Sequence, residues 1–259
     1  MGEAGAEDGK EDRIPVLMAF VSDIHGNLPA LEAAVLDAKA RGAGRIVCAG
    51  DMTGYGPFPE GVCRFLEAGR IPTIIGNYDR KVLEVVKQGP SAAAGMKQKK
   101  RRILLWTVAH LDDRSRRYLA SLPDHLTLRL PDKYNVLVVH GSPLSLDDAI
   151  YPSITRRGLE AKLGGVRPDV LVCGHTHLPF VKRIDGVLIA NCGSAGHPVD
   201  GDPRPAYALV HAEEGAVPRG RIVRFEYDRN WTIAALQKTS LPEGLQKDFA
   251  EGAKMRFLE

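Results

Sequence analysis

The segment Ser22-Asp23-Ile24-His25-Gly26-Asn27 directly follows the apolar run Val16-Leu17-Met18-Ala19-Phe20-Val21, and the predicted architecture is built around it. The apolar run predicts a buried strand. Asp23 and His25 are two residues apart, so in extended backbone just past the strand both side chains lie on one side and reach one ion. Asn27 and Pro29 signal a helix start, which places the pair in a strand-to-helix turn, where open α/β sheets bind ligands.

The same alternation of strand and helix continues through the first half of the chain. We predict helices over Leu28–Ala40, Pro59–Ala68, 78–87 and 96–122, because apolar residues recur there at helical spacing. Further strands are predicted over 45–49 and 72–75. This βαβαβα order favours a parallel sheet covered by helices.

The second half is rich in strands and requires a second sheet. Its apolar runs predict two packed sheets with helices outside, which is an α/β protein built as a four-layer α/β/β/α sandwich with mixed sheets. One clear helix is predicted inside this half, over 155–163, and an amphipathic arm interrupted at Leu241-Pro242 follows it. The predicted strands cover 126–130, Asn135–Val139, Val170–Cys173, Phe180–Ile184, 187–190, 206–211 and 221–227.

The composition is that of a globular domain without a membrane segment. Of the 259 residues, 44% are hydrophobic and 26% are charged, and no apolar run approaches membrane-spanning length. The first twelve residues carry five acids and one lysine, so they lack the basic start and apolar core of a secretory signal. We predict a disordered acidic tail over 1–12, one domain over 13–228 and a helical arm over 229–259 packed on it. The cysteines lack a disulfide-scaffold spacing, which predicts reduced thiols and a cytoplasmic protein.

Most of the positive charge is concentrated in residues 97–117, the basic segment. It holds eight Lys and Arg residues against Asp112 and Asp113, whereas the whole chain has a net charge of +3. Such a segment suits a polyanion such as nucleic acid. However, Ile103, Trp106 and His110 recur at helical spacing and give the segment a core side, which is typical of a solvated helix face. We favour solvation over nucleic-acid binding.

Five short polar segments each follow an apolar run. Because parallel strands of one sheet end on the same edge, residues far apart in sequence converge there. Each segment alone is typical of a capped turn or a satisfied core imidazole, but together they predict a metal site. The segments are Asp23-Ile24-His25, Gly50-Asp51, Gly76-Asn77-Tyr78-Asp79, His140-Gly141 and Gly174-His175-Thr176-His177.

The donor types define the kind of metal site. Two carboxylates, four imidazoles and one amide oxygen make seven donors, which are too many for one tetrahedral ion and enough for two ions that share a carboxylate. The absence of paired thiolates argues against structural zinc. A mixed nitrogen and oxygen set suits manganese, iron or zinc. We expect two divalent ions, with Mn²⁺ favoured over Fe and Zn.

These segments resemble the motifs of the calcineurin-like metallophosphoesterase superfamily, which are Asp-x-His, Gly-Asp, Gly-Asn-His-Asp, a single His and Gly-His-x-His. The resemblance spans Val16 to about Tyr227. Similarity to the small bacterial and archaeal phosphodiesterase branch comes from Gly54-Tyr55-Gly56-Pro57 and Asn191-Cys192-Gly193-Ser194. The resemblance implies the superfamily's fold, two mixed sheets flanked by helices, and metal-dependent hydrolysis of phosphoric esters.

Carried over by position, the resemblance implies a role for each predicted donor. Ions roughly 3.5 to 4 Å apart share a hydroxide that attacks phosphorus in line. Two dications, less two carboxylates and one hydroxide, leave about one positive charge, which suits the single negative charge of a phosphodiester. The implied ligands are Asp23, His25 and His177 for the first ion, Asn77, His140 and His175 for the second, and Asp51 as the catalytic bridge.

The third motif departs from the superfamily pattern and leaves the general acid open. Tyr78 stands where many relatives have the His that protonates the leaving group, and Asp79, which would orient that His, here favours a helix N-terminus. His197 supplies the acid if its loop reaches the metals, although a surface position is favoured. The catalytic candidates are therefore Asp51, Tyr78, Asp79 and His197, and the expected substrate contacts are Asn27, Tyr55, Asn77 and Arg80.

We therefore predict a cytoplasmic, dinuclear metal-dependent phosphodiesterase that acts on a small phosphodiester or nucleotide. No membrane association is expected, and a homo-oligomer is compatible with the sequence. Two alternatives on the same fold stay open. One is a phosphomonoesterase, whose known members usually keep the His that Tyr78 replaces, and the other is a non-catalytic metal-binding scaffold resembling a retromer subunit. A dinucleotide-binding protein is excluded because the first strand lacks the glycine-rich turn.

Overall fold

The structure, a computed structural model, describes residues 16–253. The predicted acidic tail over 1–12 and the last part of the predicted arm, 254–259, lie outside the described residues. The strands of the described part are β1 (Val16–Val21), β2 (Arg45–Cys48), β3 (His125–Arg129), β4 (Asn135–Val139), β5 (Val170–Cys173), β6 (Phe180–Ile184), β7 (Val187–Asn191), β8 (Ala206–Ala212) and β9 (Arg219–Arg224). The α-helices are α1 (Leu28–Ala40), α2 (Pro59–Ala68), α3 (Asn77–Gln88), α4 (Gln98–Ala109), α5 (Asp113–Ser121), α6 (Arg156–Leu163), α7 (Arg229–Leu236) and α8 (Gly244–Glu251).

The strands form two mixed sheets. In sheet one the order is β2-β1-β8-β9, with β1 parallel to β2 and antiparallel to β8. In sheet two the order is β3-β4-β5-β7-β6, with parallel pairs at β4–β5 and β5–β7. The predicted class, two mixed sheets flanked by helices, is confirmed.

Side chains of β1 show how the layers stack. Met18 and Phe20 lie in the apolar layer between the two sheets, together with side chains of β4, β5 and β7. Ala19 and Val21 point the other way, into the layer that α1, α2 and α3 cover. The outer face of sheet two packs against α6. Because β1 is buried on both faces, its sequence is continuously apolar and does not alternate.

The strand predicted over 72–75 is wrong. Only Thr73 forms a bridge there, parallel to Cys48 of β2, because Pro72 has no N–H with which to continue a ladder. The parallel sheet predicted for the first half is therefore only partly formed. The other two strands of sheet one come from the second half of the chain. β8 pairs antiparallel with β1, and β9 pairs antiparallel with β8. The segment still runs beside β2, since the Ile74 N–H donates to the Cys48 carbonyl at 3.0 Å.

The helical region predicted over 96–122 consists of two helices. α4 ends before His110, and α5 begins after Asp112. The Asp112 carboxylate caps α5 by accepting a hydrogen bond from the Ser115 N–H at 2.8 Å. A carboxylate at this position satisfies one of the free N–H groups of the first helical turn, so the sequence favours a new helix start here.

The basic segment lies on α4 and α5. Ile103 and Leu104 are buried in the core, so the segment has the core side that its spacing predicts. Part of its charge is paired inside the chain, because Lys99 contacts Asp248 of α8 and Arg114 contacts Glu67 of α2. These contacts support the solvated-face interpretation, which stays a prediction.

The C-terminal helices α7 and α8 pack on the same core as α1. They lie on either side of the predicted interruption at Leu241-Pro242, and Leu236, Leu245 and Phe249 are buried in that core. None of the helices in the described part of the chain combines the length and apolar character needed to cross a membrane. The cysteines are free and buried, and burial raises the pKa of each thiol.

Candidate metal centre

The predicted ligands converge at one end of the molecule. We expect from the sequence that they share the edge of one sheet, but the structure takes them from the carboxyl ends of strands in both sheets. The packing of the two sheets therefore joins the two halves of the site. Sheet one contributes Asp23 and His25 after β1 and Asp51 after β2, sheet two contributes His140 after β4 and His175 and His177 after β5, and Asn77 begins α3.

Five of these ligands have left-handed backbone, with φ values of 53° at Asp23, 49° at His25, 53° at Asp51, 65° at His175 and 57° at His177. In a residue other than glycine this conformation costs about 1–3 kcal/mol and persists only where the surroundings hold it. Hydrogen bonds between loops do so here. The Asp23 N–H donates to the Gly50 carbonyl, and the His25 N–H donates to the Asp51 carbonyl, both at 3.0 Å.

The first group of donors is Asp23, His25 and His177. Asp23 is 0% exposed and His25 is 1% exposed. His177 Nε2 lies 3.2 Å from Asp23 Oδ1 and 3.1 Å from His25 Nε2. His25 Nε2 lies 3.8 Å from the same Asp23 oxygen. The structure thus brings together the three residues predicted for the first ion.

The second group of donors is built around Asp51 and Asn77. His140 Nε2 lies 3.5 Å from Asp51 Oδ2 and 3.2 Å from Asn77 Oδ1. His175 Nδ1 lies 3.3 Å from the same Asn77 oxygen. Asp51 Oδ2 is also 3.7 Å from His25 Nε2 of the first group. Asp51 therefore contacts both groups, which is the position a shared ligand needs.

Three of the histidines are oriented by backbone carbonyls. A carbonyl oxygen only accepts, so each Nδ1 that faces one carries a proton and each Nε2 points into the donor groups, where it can bind a cation once its own proton is lost. Metal-ligating histidines are oriented in this way. The Nδ1 contacts are His25 to Thr53 O at 2.9 Å, His140 to Ala49 O at 2.9 Å and His177 to His197 O at 2.6 Å.

Two observations show that the site fits a metal ion. The Nε2 atoms of His25 and His177 are 3.1 Å apart, and together with the Asp23 carboxylate they place three ligand atoms within 4.8 Å of one another, close enough to bind one cation. Asp23 Oδ1 is buried, and its polar neighbours are the ring nitrogens of His177 at 3.2 Å and His25 at 3.8 Å, so this carboxylate oxygen faces two further ligand atoms and no Lys or Arg within the described residues. Carboxylate, imidazole and amide donors together suit a divalent first-row ion.

The two buried carboxylates lack a Lys or Arg partner. Within the described residues only histidines lie at ion-pair distance from Asp23 and Asp51. Burial opposes their ionised forms, but His177 lowers the pKa of Asp23 and His140 lowers the pKa of Asp51. Burial also opposes protonation of His140, but the charge of Asp51 outweighs it and raises the His140 pKa to about 10. At His25 burial dominates and lowers the pKa to about 4. The centre holds ionised carboxylates, which a bound cation neutralises.

Asp79 supports the loop that carries Asp51. Its buried carboxylate accepts hydrogen bonds from the N–H groups of Met52 at 3.2 Å, Thr53 at 3.0 Å and Gly76 at 3.1 Å, and from the Thr53 hydroxyl at 2.7 Å. Burial and the nearby Asp51 charge raise the pKa of Asp79 to about 6. These contacts give Asp79 a positioning role at the start of α3, in line with the expected helix N-terminus.

An aromatic cluster lies beside the first donor group. The half-buried ring of Tyr55 stands edge-on to His25 at 4.8 Å, stacks on His197 at 4.8 Å and lies 5.3 Å from Tyr78. The Tyr78 hydroxyl and both ring nitrogens of His197 are buried without a hydrogen-bond partner. The favoured surface position of His197 is wrong, because the residue is 6% exposed. Phe249 of α8 covers it, with ring centroids 5.1 Å apart.

Asn27, expected as a substrate contact, has a structural role. It is 0% exposed, and its amide group donates to the Gly196 carbonyl at 2.8 Å and to the Tyr227 hydroxyl at 2.9 Å. Its oxygen accepts from the Thr232 hydroxyl at 2.9 Å. The side chain therefore ties α1 to the C-terminal part of the chain, and we do not carry it into the substrate site.

Two surface contacts surround the start of α3. Arg80, the other expected substrate contact, forms an ion pair with Asp124, and no contact joins it to a metal ligand. Asp147, in the loop after β4, accepts a hydrogen bond from Asn77 Nδ2 at 2.7 Å and one from Lys81 Nζ at 2.9 Å. The sequence gives no signal for Asp147, since it belongs to no motif and reaches Asn77 only in the folded chain.

Four layers with carboxylate, imidazole and amide donors at the ends of two packed sheets define a metallophosphoesterase. The chain belongs to the calcineurin-like phosphoesterase superfamily, because the family model of the superfamily domain matches residues 16–215. The matched part contains every predicted metal ligand. The resemblance of the sequence motifs is thereby confirmed.

Individual relatives cover most of the chain. A metallophosphoesterase from Sphaerobacter thermophilus is 28% identical, with a TM-score of 0.74 over 92% of this chain and 99% of that one. An uncharacterized protein of Methanocaldococcus jannaschii is 28% identical over 246 residues, which is 88% of this chain and 95% of that protein. The phosphodiesterase YfcE of Escherichia coli is 26% identical over 196 residues, which is 72% of this chain and 83% of YfcE.

Proposed function

We propose that this chain hydrolyses phosphodiester bonds with two divalent ions. The observation that carries the proposal is the position of Asp51, whose Oδ2 lies 3.7 Å from His25 Nε2 and 3.5 Å from His140 Nε2. One carboxylate thus serves both donor groups, as two-metal phosphoesterase chemistry requires. In the proposed assignment Asp23, His25 and His177 hold the first ion, Asn77, His140 and His175 hold the second, and Asp51 holds both.

The charges of these residues favour a diester as substrate. Divalent ions bound here would polarise the phosphoryl oxygens and lower the pKa of bound water. Asp23 and Asp51 offset only half the charge of two dications, and Asn77 adds no further negative charge, so the centre stays positive toward an anionic ester. The name of the relative YfcE, a phosphodiesterase, supports the same class of substrate.

The partly exposed ligands indicate where the substrate enters. Asn77, His175 and His177 are half-buried, whereas Asp23 and His140 are buried. In the proposed arrangement the ester approaches from the side on which these three ligands are accessible, and the leaving group extends toward Tyr55, which packs against His25. We assign Tyr78 and His197 as candidate hydrogen-bond donors to the leaving oxygen, because their polar atoms are buried beside Tyr55 without partners.

The proposal also covers the identity of the metal, the substrate and the cellular location. Manganese is proposed because the donors mix nitrogen and oxygen and include no thiolate, a set that iron and zinc also accept. A small phosphodiester or nucleotide in the cytoplasm is the proposed substrate, since no long insertion interrupts the predicted motifs in sequence. Whether the chain self-associates stays a prediction.

A reconstitution assay tests the function. Metal-stripped protein is supplied with Mn²⁺, Fe²⁺, Zn²⁺ or Mg²⁺ and measured on matched diesters and monoesters of nitrophenol and of nucleosides. We expect activity to return with two equivalents of metal and to be highest on diesters. Higher activity on monoesters would replace the proposal with a phosphatase, and no turnover at full metal occupancy would replace it with a scaffold.

The variant Asp51→Asn isolates the shared ligand. It keeps the size of the side chain and one oxygen, but it removes the charge that faces both donor groups. We expect most of the activity and part of the bound metal to be lost, as measured by turnover and by elemental analysis. Asp148→Asn is the control and should retain both, because Asp148 lies outside both donor groups and pairs with Lys162. Wild-type turnover of Asp51→Asn at full occupancy would refute the two-ion assignment.

A further inference from the structure

Asp147 connects a metal ligand to a lysine across two elements of the fold. Asn77 and Lys81 are four residues apart on α3, so they share one face of the helix. The loop after β4, which also follows His140, brings Asp147 to that face. There Asp147 Oδ1 accepts from Asn77 Nδ2 at 2.7 Å and from Lys81 Nζ at 2.9 Å.

This contact decides which end of the Asn77 amide faces the metal ligands. An amide has an oxygen that accepts and an NH₂ group that donates. A carboxylate only accepts, so the NH₂ group turns to Asp147 and the oxygen lies 3.2 Å from His140 Nε2 and 3.3 Å from His175 Nδ1. A rotation that exchanged the two ends would place the amide oxygen against the Asp147 charge and remove the only Asn77 atom that can bind a cation.

We propose that Asp147 is a positioning residue for the second ion. It fixes the amide oxygen of Asn77 toward that ion, and Lys81 holds the Asp147 carboxylate in place. The proposal rests on the proposed function, because it takes Asn77 as a ligand of the second ion. Residues that orient a metal ligand typically change metal affinity about 10–100-fold when they are removed.

The contact between Asp147 and Lys81 is exposed, which distinguishes positioning of Asn77 from a role in folding stability. In the ion pair the Asp147 side chain is 65% exposed and the Lys81 side chain is 36% exposed. Ion pairs this exposed contribute little to folding stability, because water screens them and two long side chains lose freedom. Removal of Asp147 should therefore leave the fold intact and act on the second ion alone.

The test compares Asp147→Ala with Asp148→Ala. Asp148 is the next residue of the same loop and pairs with Lys162 of α6, away from Asn77. Each metal-stripped protein is titrated with Mn²⁺ by calorimetry, and electron paramagnetic resonance distinguishes a lone Mn²⁺ ion from a coupled pair. Thermal unfolding without metal reports on the fold.

We expect Asp147→Ala to bind the second equivalent about 10–100-fold more weakly and to lose the coupled signal, with the first equivalent and the thermal unfolding unchanged. Asp147→Asn keeps an acceptor oxygen and should lose less. Lys81→Met should shift the same affinity in the same direction, and Asp148→Ala should match the wild type.

Two results would overturn the role of Asp147. One is an unchanged affinity of Asp147→Ala for the second equivalent, and the other is an equal loss of both equivalents, which would show a general disturbance. In either case the wild type still binds two ions and the proposed function stands. A wild type that binds only one ion would instead overturn the dinuclear function, and the role of Asp147 with it.

Discussion

A methyl group added at Gly174 would press the two sheets apart at the metal centre. Gly174 follows β5, and a Cβ atom built on it lies 2.1 Å from Ser22 Oγ and 2.4 Å from Asp23 Oδ2, both in the loop after β1. These distances are far inside van der Waals contact, so one of the loops has to move in Gly174→Ala. The backbone of Gly174 is not left-handed, so the effect is steric and does not come from a forbidden conformation.

The contacts of Asp23 give the size of the effect. Overpacking of a well-packed interior costs about 1–3 kcal/mol. Asp23 Oδ2 also accepts from the His175 N–H at 2.9 Å, and a hydrogen bond to a charged group contributes about 1.5–3 kcal/mol. We expect Gly174→Ala to lower the free energy of unfolding by about 2.5–6 kcal/mol if both effects apply. The affinity for the first ion should fall as well, because Asp23 is displaced.

Denaturant unfolding of the metal-stripped protein measures the stability, and a Mn²⁺ titration measures the affinity. Gly44→Ala is the matched control, because a Cβ atom there meets nothing within 4 Å and the backbone is not left-handed. A glycine-to-alanine change at such a position stabilises by about 0.4–1 kcal/mol through the unfolded state. If Gly174→Ala were as stable as Gly44→Ala and bound metal equally well, the described packing of the two loops would be refuted.

The variant Tyr78→His should raise activity mainly on alkyl diesters, because an imidazole with a pKa near 6.5 protonates a poor leaving group better than a phenol with a pKa near 10. Equal gains on alkyl and nitrophenyl esters would show that position 78 does not face the leaving group. Asp37→Asn should reduce the loss of folding stability that the wild type shows when the pH falls into the acidic range. Burial opposes the charge of Asp37, but hydrogen bonds from Arg41 and Tyr207 lower its pKa, so its stabilisation is present above the unfolded pKa of about 3.9 and is lost as the pH falls through the lower folded value. Urea unfolding between neutral and acidic pH measures this, and parallel curves for variant and wild type would contradict it. The wild type should not bind DNA or RNA measurably, and neither should a variant in which the charges of Lys99, Lys100 and Arg101 are reversed. If the wild type formed a salt-sensitive complex that the variant lost, nucleic-acid binding by the basic segment would be favoured instead.

The positions of the proposed metal ligands are predictable from the sequence because their placement is local. Asp23 and His25 follow β1 directly, and the apolar run that forms β1 is buried on both faces, so the position of the turn is fixed by the strand before it. His175 and His177 follow β5 for the same reason. In each case the strand brings the side chains to the carboxyl end of its sheet, and the neighbouring strands do not have to be known.

The rest of the site depends on contacts between distant segments. His197 is buried because Phe249 of α8 packs against it at 5.1 Å, and no pattern around either residue predicts that pairing. Asp147 reaches Asn77 only through the loop after β4. The pairing of β8 with β1 is likewise set by packing, because a strand pattern predicts an extended segment and does not name its partner.

Each donor group takes residues from both sheets, and this makes the distances inside each group depend on the layer in which Phe20 lies. Stacked sheets lie about 10 Å apart, and a close-packed interior transmits small changes in volume across its width. We therefore expect a substitution such as Phe20→Leu, remote from every donor atom, to shift the donors of sheet one relative to those of sheet two inside each group. Substitutions in this apolar layer can consequently change which ion radius the donors fit, while the ligand motifs stay the same.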